Sequence, residues 1–377
     1  MSAKPGARRL ANARALLDLI GANWTTQSLA TAVELGIAER LGRGPAKAAD
    51  LARDLKCDGD ALERLLRALA SIGVCTRRAN DRYALSPAGE LLREGASDTV
   101  RWWALWCGRH SWSVWSDLAG SVRTGRSVRS RAVGQAGYSH LAGDGAQARI
   151  FHNAMAELSR LVGREVARVC DFSGASHVVD VGGGYGELLA EILAAHPRLR
   201  GTVVDLPHAT RDAPSRLAGT GVADRVEVVT GSFFEAVPAG ADAYLLKSIL
   251  HNWDDAKALA ILATCRRAMG PGARLIVVER LLPANPVASR RDRAILRSDL
   301  NMLVGHAGRE RTREEYRELL SRAGLRLARI RATGLDYSVI ESVATVSPRS
   351  ARSAGPVPRA SRASTTAARA RVARRGR

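Results

Sequence analysis

The sequence has few cysteines, and their spacing does not suit a covalent or metal-bound framework. They are odd in number, lie far apart and show no CxxC or Cys/His spacing: Cys57, Cys75, Cys107, Cys170 and Cys265. We therefore expect neither a set of disulfides nor a structural zinc site, which fits a reducing cytoplasm.

Long apolar runs are missing as well. The apolar stretch at residues 15–20 is interrupted by Asp18 and is too short for the core of a signal peptide, although Lys4, Arg8 and Arg9 precede it. No other run approaches the roughly 18 apolar residues that a membrane helix needs. We therefore expect a cytoplasmic protein without membrane contact.

Acidic residues are scarce relative to basic ones. The 377-residue chain has 57 Lys and Arg against 37 Asp and Glu, a formal net charge of +20, which is typical of proteins that bind nucleic acid or anionic membranes. Residues 349–377, however, contain nine arginines and no acidic or aromatic residue. Because such a segment has nothing to bury, we assign residues 347–377 to a disordered Arg-rich tail. The first 348 residues then carry +11, since nine of the 20 charges lie in the tail.

The N-terminal part predicts helices followed by a hairpin. An apolar face at i, i+3, i+4 and i+7 indicates a helix that starts after Asp58, and the leucines that form it are Leu62, Leu65, Leu66 and Leu69. Residues 74–77 and 82–85 are predicted strands around a turn that contains Asn80 and Asp81. Helices followed by a small hairpin are the outline of a winged helix, which we assign to residues 1–95.

A winged helix in a basic chain raises the alternative of a nucleic-acid-binding regulator. The candidate recognition helix carries Arg64 and Arg67 against three acids, Asp58, Asp60 and Glu63. A helix that reads the major groove needs several donors to bases and phosphates. We therefore expect no specific nucleic acid partner, although non-specific attraction through the tail stays open.

The C-terminal half alternates strands with helices. Segments rich in Val, Leu or Ile predict strands at residues 177–181, 201–206, 225–230, 241–248 and 273–280, with helices between them at 187–195 and 255–268. This order predicts an α/β fold with a doubly wound parallel sheet and a site at the carboxyl ends of its strands. We assign it to residues 171–346, after a helical linker and pocket region at 96–170.

The most distinctive local motif is VVDVGGGYG at residues 178–186, which leaves a predicted strand and enters a helix. Glycines permit positive φ angles and let a ligand approach the backbone. Asp205 ends the next strand, where an acid can bind the two hydroxyls of a ribose. A tight structural turn is an alternative for the loop alone. No GxxxxGK[ST] loop is present, so a nucleoside cofactor is favoured over ATP hydrolysis.

Later motifs narrow the assignment. DLP at residues 205–207, GSFFE at 231–235, LLK at 245–247 and HNWDD at 251–255 follow in order, each at a predicted strand end. Together they resemble the S-adenosylmethionine-dependent O-methyltransferase family, which includes plant caffeate and flavonoid enzymes and bacterial polyketide-tailoring enzymes. The resemblance covers about residues 15–345. It implies a Rossmann-like methyltransferase sheet with an N-terminal, mainly α winged-helix dimerisation domain.

The resemblance also implies S-adenosyl-L-methionine as the cofactor. The residues that match the family's cofactor contacts are Gly182, Gly184 and Gly186 for the methionine part, Asp205 for the ribose, Ser232 and Phe233 for the adenine, and Lys247 and Ser159 for the lining. Many relatives carry Asp at the place of Ser232. Since a serine still forms one hydrogen bond, we expect weaker adenine binding rather than none.

For catalysis, His251 matches the family's general base, and Glu279 and Glu310 match the carboxylates that bracket it. Methyl transfer is an in-line displacement by a hydroxyl oxygen, and a base that removes the hydroxyl proton makes that oxygen a better nucleophile. An imidazole with an ordinary pKa of about 6.5 is expected to be largely neutral at physiological pH. Asn252 stands where relatives often have Asp, which puts a charge contribution in doubt. The family works without a metal, and we expect none.

The acceptor site is less distinct in the sequence. Phe151 and Met155 lie at i, i+4 and match positions that clamp an aromatic acceptor, and further candidates are Trp106, His110, Met302 and His306. Plain core packing is the alternative for each of them.

The reaction implied is methyl transfer to a phenolic or enolic hydroxyl of a small aromatic, polyketide-like metabolite. A homodimer is implied too, in which the helices of residues 11–41 pack against the partner. The alternative enzyme keeps this fold and cofactor but performs hydroxylation or decarboxylation. The joint presence of His251, Glu279 and Glu310 argues against it.

Overall fold

Helices make up most of the N-terminal part of the chain. The structure, a computed structural model, describes residues 5–133, 145–306 and 308–345. Its first elements are α1 (Pro5–Ile20), α2 (Ala22–Glu34), α3 (Ile37–Gly42), β1 (Ala46–Lys47), α4 (Ala48–Leu55), α5 (Gly59–Ser71), β2 (Cys75–Arg78), β3 (Arg82–Leu85) and α6 (Pro87–Glu90).

The helix and hairpin predicted after Asp58 are α5, β2 and β3. The Asp58 side chain caps α5 by accepting a hydrogen bond of 2.8 Å from Ala61 N. β2 pairs with β3, and the short β1 lies on the other side of β3, all antiparallel. β2 begins one residue later than predicted, because Val74 N still bonds to Leu69 O at the end of α5. The name winged helix stays a prediction.

A chain of short helices leads from this region to the sheet. It comprises α7 (Arg101–Leu105), a π-helical turn (Trp106–Ser111), α8 (Trp112–Trp115), α9 (Leu118–Thr124), α10 (Val128–Val133) and the long α11 (Gly145–Val169). Glu157 of α11 accepts hydrogen bonds from Trp102 N at 3.2 Å and Trp103 N at 3.1 Å. This buried carboxylate therefore ties α11 to the start of α7.

The C-terminal part is the predicted α/β fold, with a Rossmann-like sheet. Its elements are β4 (His177–Val181), α12 (Glu187–Ala195), β5 (Arg200–Asp205), α13 (Pro207–Thr210), α14 (Ala213–Ala218), β6 (Val226–Thr230), β7 (Ala243–Lys247), α15 (Asp255–Ala268), β8 (Arg274–Glu279), α16 (Arg290–Gly305), α17 (Arg313–Arg322), β9 (Leu325–Ala332) and β10 (Ser338–Ala344). Seven strands lie in the order β6-β5-β4-β7-β8-β10-β9. The first five are parallel, and β10 is antiparallel to β8 and β9.

Successive side chains of the central strands enter two different cores. Val178 packs in the core with α11 and α12, whereas Val179 packs in the core with α15 and α17. Both faces of the sheet are thus buried, as expected for parallel strands. Among the described helices, none is both long and apolar enough to cross a bilayer. The Arg-rich tail predicted at residues 347–377 lies outside the described residues.

Candidate functional site

A cavity of about 470 Å³ opens at the carboxyl ends of the parallel strands. Strand order reverses at β4, with β5 and β6 on one side and β7 and β8 on the other. Open α/β sheets bind their ligands at such a reversal. Seven of the residues predicted to bind the cofactor line this cavity, namely Ser159, Gly182, Gly184, Asp205, Ser232, Phe233 and Lys247.

The glycine loop after β4 adopts backbone angles that favour glycine. Gly182 has a φ of 75° and Gly184 a φ of 58°. A Cβ at Gly182 would come within 2.4 Å of Ile249 Cδ1, whereas a Cβ at Gly184 would meet no protein atom within 4 Å. Gly184 therefore offers bare backbone to a ligand. Gly186, the third predicted glycine, precedes α12 and is not among the cavity-lining residues.

Asp205, the last residue of β5, is held in place by backbone amides. Its Oδ2 accepts a hydrogen bond of 2.9 Å from Gly184 N, and its Oδ1 accepts one of 2.7 Å from Leu206 N. Each oxygen keeps a second lone pair, so the carboxylate can accept from two neighbouring hydroxyls. Burial raises the pKa of Asp205. A negative group here suits a ribose and would repel a phosphate.

Asp180 of β4 has an unsatisfied oxygen beside the same cavity. The residue is 1% exposed, it lines the cavity, and its Oδ2 has no hydrogen-bond partner among the described residues. Burial raises the pKa of Asp180 to about 7, against the opposing charge of Lys247. A bound ammonium group would satisfy this oxygen, because an uncompensated buried acceptor costs free energy. The residues present therefore fit a nucleoside that carries an amino acid.

His251 lies in a one-turn 3₁₀ helix, Leu250–Asn252, shortly after β7. Its Nδ1 is 3.0 Å from Glu310 Oε1 and 3.3 Å from Glu279 Oε2. All three side chains are buried. Since both carboxylates face Nδ1, the neutral ring carries its proton on Nδ1 and leaves Nε2 free to accept one. The structure thus brings together the three residues predicted for catalysis.

The charge state of His251 differs from the expectation. Burial acts to lower the pKa of His251, but the charges of Glu279 and Glu310 outweigh it and raise the pKa to about 9. The imidazole is therefore largely protonated at pH 7 in the protein without ligands. The expectation of a largely neutral imidazole is wrong, because two buried carboxylates stabilise the charged form.

Arg311 fixes the short helix that carries His251. Its guanidinium is 1% exposed and donates hydrogen bonds to Leu250 O at 3.0 Å and to Trp253 O at 2.9 Å, as well as to an aspartate at the start of α15. On the other side, Arg309 N donates to His251 O at 2.9 Å. The backbone of His251 is thus held from both sides.

One face of α11 forms a wall of the cavity. Phe151, Met155 and Ser159 follow at steps of four residues, and all three line it. Trp106 packs edge-on against Phe151, with ring centroids 5.0 Å apart. The other acceptor candidates are not among the lining residues: Trp106, His110, Met302 and His306. Their role stays a prediction.

Some lining residues were not predicted. His152 lies between Tyr185 and His208, with ring centroids 5.7 Å and 5.9 Å away. Tyr185 lies inside the glycine motif and could have been assigned from it, whereas the two histidines have no spacing that marks them. Trp253 also lines the cavity and packs edge-on against Phe234.

The cluster of His251, Glu279 and Glu310 also has the composition of a metal site. Among the described residues, one group of His, Cys, Asp or Glu side chains has its possible ligand atoms within 4.8 Å of one another. It consists of His251, Glu279 and Glu310. An imidazole and two carboxylates suit several divalent cations. The expected absence of a metal therefore stays a prediction.

Comparison with known families gives two matches along the chain. Residues 115–326 match the O-methyltransferase domain, and residues 17–95 match the O-methyltransferase dimerisation domain. The chain is 36% identical to phenazine O-methyltransferase of Lysobacter antibioticus, over 87% of this chain and 95% of that protein. It is 37% identical to aclacinomycin 10-hydroxylase of Streptomyces purpurascens, over 87% of this chain and 90% of that protein.

A solved structure agrees in fold. It is an O-methyltransferase from neocarzinostatin biosynthesis in complex with S-adenosylmethionine and 2-hydroxy-5-methyl naphthoic acid. The TM-score is 0.68 at 34% identity, with 85% of this chain and 96% of that chain covered.

Proposed function

Since this chain belongs to the S-adenosylmethionine-dependent O-methyltransferase family, we propose that it methylates a phenolic or enolic hydroxyl of a small aromatic, polyketide-like metabolite, with His251 as the general base. The observation that carries the proposal is the contact of a buried imidazole with two buried carboxylates. Ile249 and Asn252, which flank the imidazole in the chain, line the nucleoside cavity. Base and cofactor site are therefore neighbours.

Different residues of the cavity bind different parts of the cofactor. When bound, S-adenosylmethionine supplies an electrophilic methyl group on a sulfonium. Asp205 accepts the ribose hydroxyls, and Asp180 accepts the ammonium of the methionine part. Phe233 packs on the adenine, and Ser232 offers it one hydrogen bond. These contacts hold the reacting methyl group in a fixed position, which supplies part of the rate by alignment.

His251 acts as the base for the hydroxyl proton of the acceptor. Its Nε2 removes the hydroxyl proton while the oxygen attacks, and Nδ1 stays hydrogen-bonded to the carboxylates. The imidazolium that forms is stabilised by Glu279 and Glu310, which is the same effect that raises the pKa of His251. General base catalysis of this kind contributes about 10²- to 10⁴-fold.

An aromatic acceptor suits the walls near the base. Phe151 and Met155 present an aromatic ring and a polarizable thioether on one side, and Trp253 lies on the side of the His251 turn. Flat rings pack well on such surfaces. Trp106 packs edge-on against the Phe151 ring.

We also propose a homodimer that uses the first two helices. Apolar side chains on them are exposed, with Leu17 at 66%, Ile20 at 70% and Trp24 at 72%. A monomer rarely leaves so many large apolar side chains in water, since a contiguous patch of this kind marks an interaction surface. The predicted partner contact at residues 11–41 covers the same helices.

The test is methyl transfer from methyl-labelled S-adenosylmethionine to a panel of phenols, hydroxynaphthoates and enolic diketones. We expect a labelled methyl ether with at least one acceptor, and the same yield in the presence of EDTA. The alternative hydroxylase or decarboxylase would instead gain oxygen or lose CO₂ in the acceptor, without label transfer. Mass spectrometry of the products separates these outcomes, and the second would contradict the proposal.

A further inference from the structure

Two buried glutamates compete for one nitrogen of His251. Glu310 Oε1 lies 3.0 Å from Nδ1, and Glu279 Oε2 lies 3.3 Å from the same atom. Nδ1 has one proton to donate, and its contact has hydrogen-bond geometry with Glu310 Oε1 but not with Glu279 Oε2. How firmly Glu310 is held against Nδ1 therefore decides how firmly the proton on Nδ1 is held.

Glu310 receives a side-chain hydrogen bond that Glu279 lacks. Ser298 Oγ, on α16, lies 2.7 Å from the Oε1 atom of Glu310 that contacts His251. Arg280 Nη1 lies 3.3 Å from Ser298 Oγ. A guanidinium donates and has no acceptor, so the serine oxygen accepts from Arg280 and its hydroxyl proton points to Glu310. The hydrogen bonds therefore run in one direction, from Arg280 through Ser298 to Glu310.

Glu279 has poorer partners at the oxygen that faces Nδ1. Its Oε1 accepts from His251 N at 3.3 Å, and among the described side chains none donates to its Oε2 with hydrogen-bond geometry. In Glu310, Oε2 is unpartnered in the same way, but Oε1, the atom that faces Nδ1, accepts from both His251 and Ser298. The two carboxylates thus differ in the donors that hold them beside Nδ1.

We propose that Ser298, oriented by Arg280, is a positioning residue that holds the Glu310 carboxylate against Nδ1 of His251 and thereby holds the ring in the Nδ1–H form. The inference rests on the proposed role of His251 as the base. Ser298 is not among the residues that line the cavity, so it acts through Glu310 and does not touch the reactants.

Other charged and titratable groups surround the pair. They are Arg280 after β8, Asp299 on α16, Arg309 and Arg311 before α17, Tyr316 on α17, and Lys247 and Tyr337 beside the His251 turn. A substitution of Ser298 changes none of these charges. A difference between Ser298 variants therefore reports the hydroxyl group.

The first experiment compares turnover of three variants. Ser298→Ala should lower kcat about tenfold with KM for both substrates unchanged, because a hydrogen bond to a charged group is worth about one decade in rate. Ser298→Thr, which keeps the hydroxyl, should restore kcat. Ser289→Ala is the matched control, since Ser289 caps the same helix by accepting from Asp292 N at 3.0 Å and has no contact with Glu310. A wild-type kcat in Ser298→Ala, or a loss in Ser289→Ala as large, would overturn the proposal.

A double-mutant cycle then tests which carboxylate carries the effect. Because Nδ1 donates to Glu310 and not to Glu279, Glu279→Gln should cost less than threefold in kcat, whereas Glu310→Gln should cost tenfold or more. Ser298→Ala should add nothing to Glu310→Gln but keep its full effect on Glu279→Gln. Equal losses in the two glutamine variants, or additive effects of Ser298→Ala and Glu310→Gln, would contradict the assignment.

A readout without turnover separates this inference from the proposed function. ¹⁵N NMR shifts of labelled histidine above pH 9, with His251 assigned from the His251→Ala spectrum, report the tautomer of the neutral ring. We expect the Nδ1–H form in the wild type and a mixture in Ser298→Ala. The same tautomer in both proteins would overturn the role of Ser298. Retained turnover in His251→Ala would instead overturn the base, whatever the tautomer.

Discussion

Removal of the Asp205 carboxylate should abolish tight cofactor binding. Each oxygen is already bonded to one amide, Gly184 N at 2.9 Å and Leu206 N at 2.7 Å, and each has one lone pair left for one ribose hydroxyl. Two hydrogen bonds to a charged acceptor are worth about 1.5 to 3 kcal/mol each. Asp205→Ala should therefore raise the Kd for S-adenosylmethionine at least about 100-fold.

Asp205→Asn keeps the shape of the side chain but removes its charge and one acceptor oxygen, so it tests which of these properties the cofactor needs. The amide has one oxygen, so its NH₂ group must face the N–H of either Gly184 or Leu206, donor against donor. We therefore expect the Kd of Asp205→Asn for the cofactor to be at most about tenfold lower than that of Asp205→Ala. The assay is isothermal titration calorimetry with S-adenosylmethionine and S-adenosylhomocysteine, and Asp224→Ala, an exposed aspartate outside the cavity, is the control. A Kd within threefold of wild type in Asp205→Ala would show that this carboxylate does not bind the ribose.

Four further outcomes are expected from the same structure. The value of kcat/KM should rise between pH 7 and about 9, because the base acts in its neutral form and the pKa of His251 is raised to about 9; a flat profile above pH 7 would contradict this. The stability that the His251 ion pair contributes should be complete below pH 6.5 and be lost as the pH rises through 9, which thermal unfolding at several pH values measures. Glu157→Ala should lower the melting temperature by several degrees in differential scanning calorimetry, because two partly buried amides lose their acceptor at about 1 to 3 kcal/mol each; an unchanged melting temperature would argue against this contact between α11 and α7. Leu17→Asp with Trp24→Asp should yield a monomer in analytical ultracentrifugation, whereas Val122→Asp, at a residue 64% exposed elsewhere, should not; a persisting dimer would exclude this interface.

The sheet and its strand ends could be read from the sequence. Parallel strands are buried on both faces, so each appears as a short run of Val, Leu and Ile, and the helices between them were placed at the observed bounds of α12 and α15. Once strand ends are known, Asp205 and Lys247 must meet at one edge of the sheet. For this reason seven of the eight residues predicted to bind the cofactor lie together along the cavity.

The features of the site that the sequence did not predict depend on contacts between segments that are distant in the chain. The raised pKa of His251 requires that Glu279 and Glu310 both approach the same nitrogen, and sequence does not give such distances. Ser298 has no motif around it, and its contact with Glu310 arises from the packing of α16. Arg311 follows Glu310 directly, yet its bonds to the His251 turn appear only in the fold.

The role of His251 as the base is tested most directly by the single-turnover rate of methyl transfer in His251→Ala, at pH 9 and saturating cofactor. We expect a rate at least about 100-fold below wild type. The calorimetric Kd for S-adenosylmethionine should stay within threefold of wild type, since His251 is not among the residues that line the cofactor cavity. A variant that binds the cofactor equally well and transfers the methyl group at the wild-type rate would contradict the role of His251 as the base.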